Sequence, residues 1–175
     1  TATPKIGRVV PIQSRPAALV GSIPAQYVER APAPAELFSR GAHDATGTFD
    51  IGNPNLVIET AKSVEIGLRK ANGPFRFEAT AYYTRFDNFI FRRLTGVLCD
   101  SDFASCGAPD AELKQAVYSQ RDATFRGGEF QSQLDIGPLY GGIWGIEDQF
   151  DVVRATFTDG TNVPRIPPVR VGGGL

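Results

Sequence analysis

Residues 63–69 read SVEIGLR, the turn KANGP follows at 70–74, and residues 75–93 read FRFEATAYYTRFDNFIFRR. In the first run Val64, Ile66 and Leu68 fall on one face of an extended chain, with Ser63, Glu65, Gly67 and Arg69 on the other. Successive side chains of a strand point to opposite faces, so this alternation predicts a strand with one apolar and one polar side. The second run repeats it: Phe75, Phe77, Ala79, Ala81 and Tyr83 face one way, and Arg76, Glu78, Thr80, Tyr82 and Thr84 the other. From Phe75 to Tyr83 the apolar side has the length, about 9–11 residues, that a tilted strand needs to cross a bilayer. Past Tyr83 the pattern changes, with Arg85 and Asp87 on the formerly apolar side and aromatics at Phe86, Phe89 and Phe91. The strand is expected to pass there from one environment into another.

Further strands are expected on both sides. VYSQRDATFRGGEFQSQLDIG at 117–137 alternates again, with a phase change near Gly127 and Gly128 that predicts a bulge. After the tight GPLYGG at 137–142, IWGIEDQFDVVRATF sets Trp144, Ile146, Phe150 and Val152 on one face, interrupted by Asp148. VRVGGGL at 169–175 begins another strand. Toward the N-terminus IGRVVPI and AALVGSIPAQYVER read as two strands separated by QSRP, although proline removes ladder donors from both. The long segment from Ala31 to Thr60 holds at most one helical turn, around Glu36 to Arg40.

The expected fold is all-β, an antiparallel meander of about seven strands. Its connections alternate: QSRP, KANGP and GPLYGG are short, whereas Ala31–Thr60, Thr95–Gln115 and Asp159–Pro168 are long. Tight turns on one side and extended loops on the other are the pattern of an antiparallel outer-membrane barrel. A mean hydropathy of -0.15 agrees, because only alternate residues of such strands face lipid. An alternative of a different class is a soluble secreted β-sandwich acting as a binding module.

Composition narrows the function. The 175 residues carry 18 Lys+Arg against 19 Asp+Glu, and no window concentrates the basic residues that nucleic-acid phosphates or a basic membrane-surface helix require. The longest charge-free stretch, Pro16 to Val28, contains two prolines and falls short of the ~20 apolar residues of a spanning helix. Lys5, Arg8 and Arg15 break up any signal-peptide pattern, and with no Met the chain is expected to be a mature or excised piece of a longer product. Cys99 and Cys106 with the single His do not make the four ligands of a zinc site; a disulfide in an oxidising compartment, or two free thiols, are the readings left.

ERAPAPAELFSRGAHDATGTFDIGNPNL at 29–56 with ETAKSVEIGLR after it, then YYTRFDNFIFRR, YSQRDATFRGGEF and PRIPPVRVGGGL, resembles in order and spacing the C-terminal barrel region of TonB-dependent outer-membrane receptors. The resemblance runs from about Val28 to the end. It implies a Gram-negative outer-membrane barrel of about 22 strands, surrounded by lipid, filled by an N-terminal plug domain and energised through TonB for uptake of a scarce small ligand such as a metal, a metal chelate or haem. It implies no catalysis, no resident cofactor and no nucleic-acid partner. This chain, residues 1–175, shows no plug and no TonB-contacting box, is too short to close such a barrel, and lacks a terminal aromatic at Leu175, so a partial receptor barrel is expected. The apolar residues Phe75, Phe77, Ala79, Ala81 and Tyr83 would then face the membrane.

ELFSRGAHDATGTFDIGNPNL is most similar to the branch of zinc and haem uptake receptors, in which a histidine at the position of His43 lies in an extracellular loop and helps bind metal. His43 and Asp44 would offer nitrogen and oxygen donors, the remaining ligands coming from elsewhere. An exposed or hydrogen-bonded loop histidine is the simpler reading. A hydrolase built on His43, Asp44 and a serine lacks any G-x-S-x-G elbow. Glu147 and Asp148 fall on opposite faces and make no acid/base couple. Gly172–Gly174 have no following lysine or helix that would make a phosphate loop. Tyr82, Tyr83, Phe86, Phe89 and Phe91 read as an interfacial girdle or a ligand platform, the girdle being simpler. Glu65, Arg69, Arg76 and Glu78 are expected to face the lumen and pair across strands.

Overall fold

The computed structural model describes residues 5–6, 12–13, 19–101, 105–108 and 110–175. In chain order the strands are β1 (Lys5–Ile6), β2 (Ile12–Gln13), β3 (Leu19–Ser22), β4 (Ala25–Arg30), β5 (Arg40–His43), β6 (Thr48–Ile51), β7 (Glu59–Lys70), β8 (Phe75–Cys99), β9 (Leu113–Leu139), β10 (Gly142–Phe157) and β11 (Arg170–Gly174), with one short helix, α1 (Pro34–Phe38), between β4 and β5. All eleven belong to a single sheet whose main path is β1-β4-β7-β8-β9-β10-β11. A sandwich would need two packed sheets, and the described residues supply one.

The expected antiparallel meander is present, with differences that have local causes. AALVGSIPAQYVER is divided at Ile23–Pro24, yet both halves, β3 and β4, pair with β7 in line, so proline interrupts one strand rather than ending it. The expected strand IGRVVPI falls largely on residues 7–11, outside the described residues; the flanking Lys5–Ile6 pairs with β4 and Ile12–Gln13 with β3. The long Ala31–Thr60 segment holds two short helical turns where at most one was expected: α1 at Pro34–Phe38 lies earlier than expected, because Pro34 opens it and the Glu36 carboxylate accepts the Ala33 N–H at 2.7 Å, and a 3-10 turn at Asp44–Thr46 is closed by Gly47, whose N–H donates to the Asp44 carbonyl. The same segment also holds the hairpin β5–β6, whose second strand pairs parallel with β9, Thr48 opposite Lys114 through Ile51 opposite Val117. That is the one parallel pairing among the described residues.

The central hairpin is far longer than a bilayer demands. β8 has 25 residues and β9 has 27, so strand structure enters both ends of the expected Thr95–Gln115 loop, as far as Cys99 from one side and from Leu113 on the other. The phase change past Tyr83 is a bulge: Phe86 pairs with Ala123 but Phe89 with Arg121, and Asn88 adopts φ 58°. Asparagine tolerates that left-handed backbone, and its N–H donates to the Asp122 carboxylate at 2.9 Å. Register is continuous through Gly127 and Gly128, where a bulge was expected. The glycine has another cause: a Cβ on Gly127 would strike the Tyr82 ring on one side and the Val152 carbonyl on the other.

Cross-strand register keeps the two faces separate over four strands. Ile66, Ala81, Gly128 and Val152 form one row on the apolar face, and Leu68, Ala79, Phe130 and Phe150 the next. Large side chains on this face stand in the open; Ile66 is 59% and Phe150 41% exposed. The buried cluster lies elsewhere, on the opposite face near the long loops, where Ala123, Ala155, Phe157 and Val163 pack with Phe86, Phe89, Phe91 and Phe125. A soluble domain places its core against its apolar face; here the apolar face is left bare.

Candidate functional site

Two regions gather polar side chains. The first is the polar face of β7–β10 toward the short turns, which holds a groove of about 670 Å³ lined by residues including Arg69, Arg76, Glu78, Gln131, Gln133 and Glu147. Strand alternation puts these residues side by side, since Arg69 lies opposite Glu78, Glu78 opposite Gln131 and Gln131 opposite Gln149. Arg76 grips Asp135 with two hydrogen bonds of 2.6 Å, and Arg69 stands 3.7 Å from Glu78. The expected inward row of Glu65, Arg69, Arg76 and Glu78 shares this face; two of its arginines are paired across strands. Glu147 lies on it and Asp148 on the other, where Ser132 donates to the Asp148 carboxylate.

The second region is the loop end of β8 and β9, and the segment 31–58 braces one side of it. The Gln120 side chain accepts the Val57 N–H at 2.9 Å and donates to the Val57 carbonyl at 2.7 Å. The Ile90 N–H donates to Glu59, which also binds Arg30, and Arg30 reaches on to Glu36. These carboxylates raise the Arg30 pKa, the hydrogen bond that Arg30 donates to Glu59 foremost. Arg92 donates to Asp50 at 2.7 Å in a largely buried pair. Tyr118 is pushed up by burial and then by the charge of Asp50. On the other side the loop after β10 covers the aromatic cluster through Val163 and Ile166. Phe86, Phe89 and Phe91 therefore do not share the face of Tyr83: alternation already puts Phe86 on the opposite face, and the bulge brings Phe89 and Phe91 onto it, against Phe125 and Phe157.

His43 ends β5 at the tip of its hairpin and is exposed. Counting protons assigns its tautomer. Asp50 accepts from Arg92 and from the Thr48 hydroxyl at 2.7 Å, which uses the one hydroxyl proton of Thr48. Thr46, 2.7 Å from Thr48, must donate to it, and so can only accept from the His43 Nδ1 at 3.0 Å. When neutral, His43 thus carries its proton on Nδ1, which leaves the unshared pair on Nε2. Its ring meets Thr46 rather than a serine, and no hydrogen bond joins it to the Asp44 carboxylate. Among the described residues no group of three His, Cys, Asp or Glu is placed to hold a metal ion. Thr46, Thr48, Asp50 and Arg92 escaped the sequence reading, although period two in TFD already places Thr48 and Asp50 on one side of β6.

Cys99 and Cys106 are joined by a disulfide at the tip of the β8–β9 hairpin, where the Gly107 N–H donates to the Leu98 carbonyl at 2.7 Å. Phe75, Phe77, Ala79, Ala81 and Tyr83 share the apolar face through their pairing with Leu134, Ser132, Phe130, Gly128 and Arg126.

Comparison with known proteins places this architecture. The family model described as TonB dependent receptor-like, beta-barrel, matches residues 25–175. Among solved structures, the chain is similar to the one titled copper transporter OprC, with a TM-score of 0.68 and 17% sequence identity over 92% of this chain and 22% of that one. The chain thus spans about a fifth of the length of that relative, and the likeness is one of fold.

Proposed function

This chain belongs to the TonB-dependent receptor β-barrel family, and on that premise we propose that it is a portion of the wall and extracellular rim of a Gram-negative outer-membrane receptor, whose task is energy-coupled uptake of a scarce ligand and not catalysis. The observation that carries the proposal is the separation of faces across β7–β10 combined with short connections at one end and long ones at the other. In this reading the apolar rows, with Phe75, Phe77, Ala79, Ala81 and Tyr83 among them, meet lipid. The polar groove lines the lumen against a plug domain, and TonB supplies energy from the periplasmic side. The long loops form the ligand-binding mouth.

A metal ion, metal chelate or haem is the proposed cargo. His43, exposed at the hairpin tip, is the residue of this chain best suited to contact a metal, with Asp44 beside it and further donors from the rest of the receptor. Uptake by a receptor-deletion strain carrying the full-length protein tests the transport reading: accumulation of labelled metal or haem that depends on TonB supports it, and TonB-independent or absent accumulation of every such ligand contradicts it. Fractionation of the same strain tests location, because a receptor found outside the outer membrane is incompatible with the proposal.

A further inference from the structure

One row of the apolar face breaks its pattern. Lys70 of β7, Phe77 of β8, Ser132 of β9 and Asp148 of β10 stand opposite one another across the sheet, and beyond Asp148 lies Gly173 of β11, which has no side chain. The rows on either side are apolar: Leu68, Ala79, Phe130 and Phe150 toward the long loops, and Phe75, Leu134 and Ile146 toward the short turns. Asp148 lies between Trp144 and Arg154 on the same strand. With a rise of about 3.3 Å per residue and a tilt of about 40°, it stands roughly 10 Å from the level of Trp144 and roughly 15 Å from that of Arg154. Together these make about 25 Å, the height of the apolar belt of an outer-membrane barrel. When the apolar rows meet acyl chains, Asp148 is a carboxylate inside the hydrocarbon layer.

A charged group at that depth is costly, and where one occurs it calls for a partner. The Ser132 hydroxyl donates one hydrogen bond to Asp148, which has no ion pair among the described residues. Lys70, at the other end of the row, donates to the Phe75 carbonyl at 2.7 Å and likewise has no ion pair, so two of its three N–H donors remain. The two charges cannot meet within one molecule, because three strand spacings of about 4.8 Å hold them about 14 Å apart. Opposite charges at the two ends of one row are self-complementary about a two-fold axis between them. We propose that this row is a self-association surface, on which a second copy of the receptor docks face to face about an axis along the membrane normal. Lys70 of one copy then binds Asp148 of the partner subunit, and its own Asp148 binds the partner subunit's Lys70. Strand tilt leaves the lysine about 9 Å nearer the periplasm than the carboxylate it meets, a gap that its long stem crosses along apolar surface. Polar groups inside a bilayer hold spanning elements together in this way, and the apolar rows on either side supply the packing around them. This inference rests on the reading of the apolar face as lipid-facing.

The test uses the full-length receptor in lipid nanodiscs and in outer membranes. Native mass spectrometry should find a dimer in the wild type. Asp148→Asn should weaken the association about tenfold or more, since one lost charge-assisted hydrogen bond is already worth that factor. Lys70→Asp alone should do the same, and Lys70→Asp combined with Asp148→Lys should restore the dimer, which a merely structural role for either residue would not allow. In outer membranes Ser132→Cys, close to the axis, should yield a disulfide-linked dimer on mild oxidation, whereas Thr80→Cys on the polar face should not. A monomeric wild type, an association indifferent to Asp148→Asn, an exchanged pair that stays monomeric, or a Ser132→Cys crosslink to a different protein overturns the proposal. The crosslink leaves both charges in place and decides the matter even if the charge variants fail to assemble. Ala81→Cys separates the two readings: labelling by a water-soluble maleimide defeats the lipid-facing reading and this inference with it, whereas a protected cysteine on a monomeric receptor defeats only the self-association surface.

Discussion

Arg92 of β8 and Asp50 of β6 form an ion pair of 2.7 Å whose side chains are 17% and 8% exposed, and it ties the hairpin of a long loop to the strand that rises past it. Removing one partner of a buried pair strands the other charge, at a cost of about 3–5 kcal/mol when burial is complete. Arg92→Ala should fall at the lower end of that range, and amide exchange in Thr48–Ile51 should accelerate accordingly. The double change Arg92→Leu with Asp50→Leu should recover much of the protection, because no charge is then left buried.

The relay from Asp50 to His43 makes a separate prediction. Thr48→Val removes the hydroxyl that forces Thr46 to accept from Nδ1, and Thr48→Ser keeps it. Nitrogen chemical shifts of a labelled His43 should report the Nδ1–H tautomer in the wild type and in Thr48→Ser, and a mixture in Thr48→Val. If metal uptake depends on Nε2, Thr48→Val should weaken it without abolishing it, and His43→Ala should abolish it.

Acid should loosen the loop after β10. The hydroxyl and N–H of Thr161 and then the charge of Arg121 hold the Asp159 carboxyl below the ordinary carboxylate range. A group whose folded pKa is depressed stabilises above its unfolded pKa, and that contribution is lost as pH falls through the folded value. Exchange at the loop amides should rise below about pH 4, the ordinary carboxylate range, and Asp159→Asn should be insensitive to pH over the same interval.

Opposite faces of β8 should answer oppositely to one charge. On the apolar face Ala79→Arg should cost about 2–4 kcal/mol if it lies near the bilayer midplane. Thr80→Arg, on the polar face opposite Gly67 and Glu129, should cost far less. Heat resistance of the folded receptor on detergent gels measures the difference; equal losses would contradict the lipid-facing assignment.

Gly127 should resist enlargement. Gly127→Ala forces its Cβ against the Tyr82 ring and the Val152 carbonyl, and overpacking of this kind costs about 1–3 kcal/mol. Tyr82→Ala should relieve only part of the loss, because the carbonyl belongs to backbone and cannot move aside. The same gels provide the measurement.

Much of this was legible in residues that alternate. Val64, Ile66 and Leu68, then Phe75 through Tyr83, carry their own register, and pairing between neighbours follows from it. Three things were not. The bulge at Asn88 depends on a backbone angle that asparagine permits but does not demand, so alternation alone set Phe89 and Phe91 on the side of Tyr83. Strand β6 finds its partner across two intervening strands, and no local pattern in TFDI names β9. Gly127 and Gly128 looked like a break in a strand, but Gly127 has a space requirement set by Tyr82 on a neighbouring strand. In each case the deciding contact lies far away along the chain.

The parallel pairing of Thr48–Ile51 with Lys114–Val117 has a consequence for association between molecules. β10 ends at Phe157, opposite Ala123, so β9 rises beyond it with a flank that would otherwise offer unsatisfied N–H and C=O groups to any passing strand. The chain's own β6 occupies that flank. A strand of another molecule is thereby denied the stretch from Lys114 to Val117 as a template for pairing.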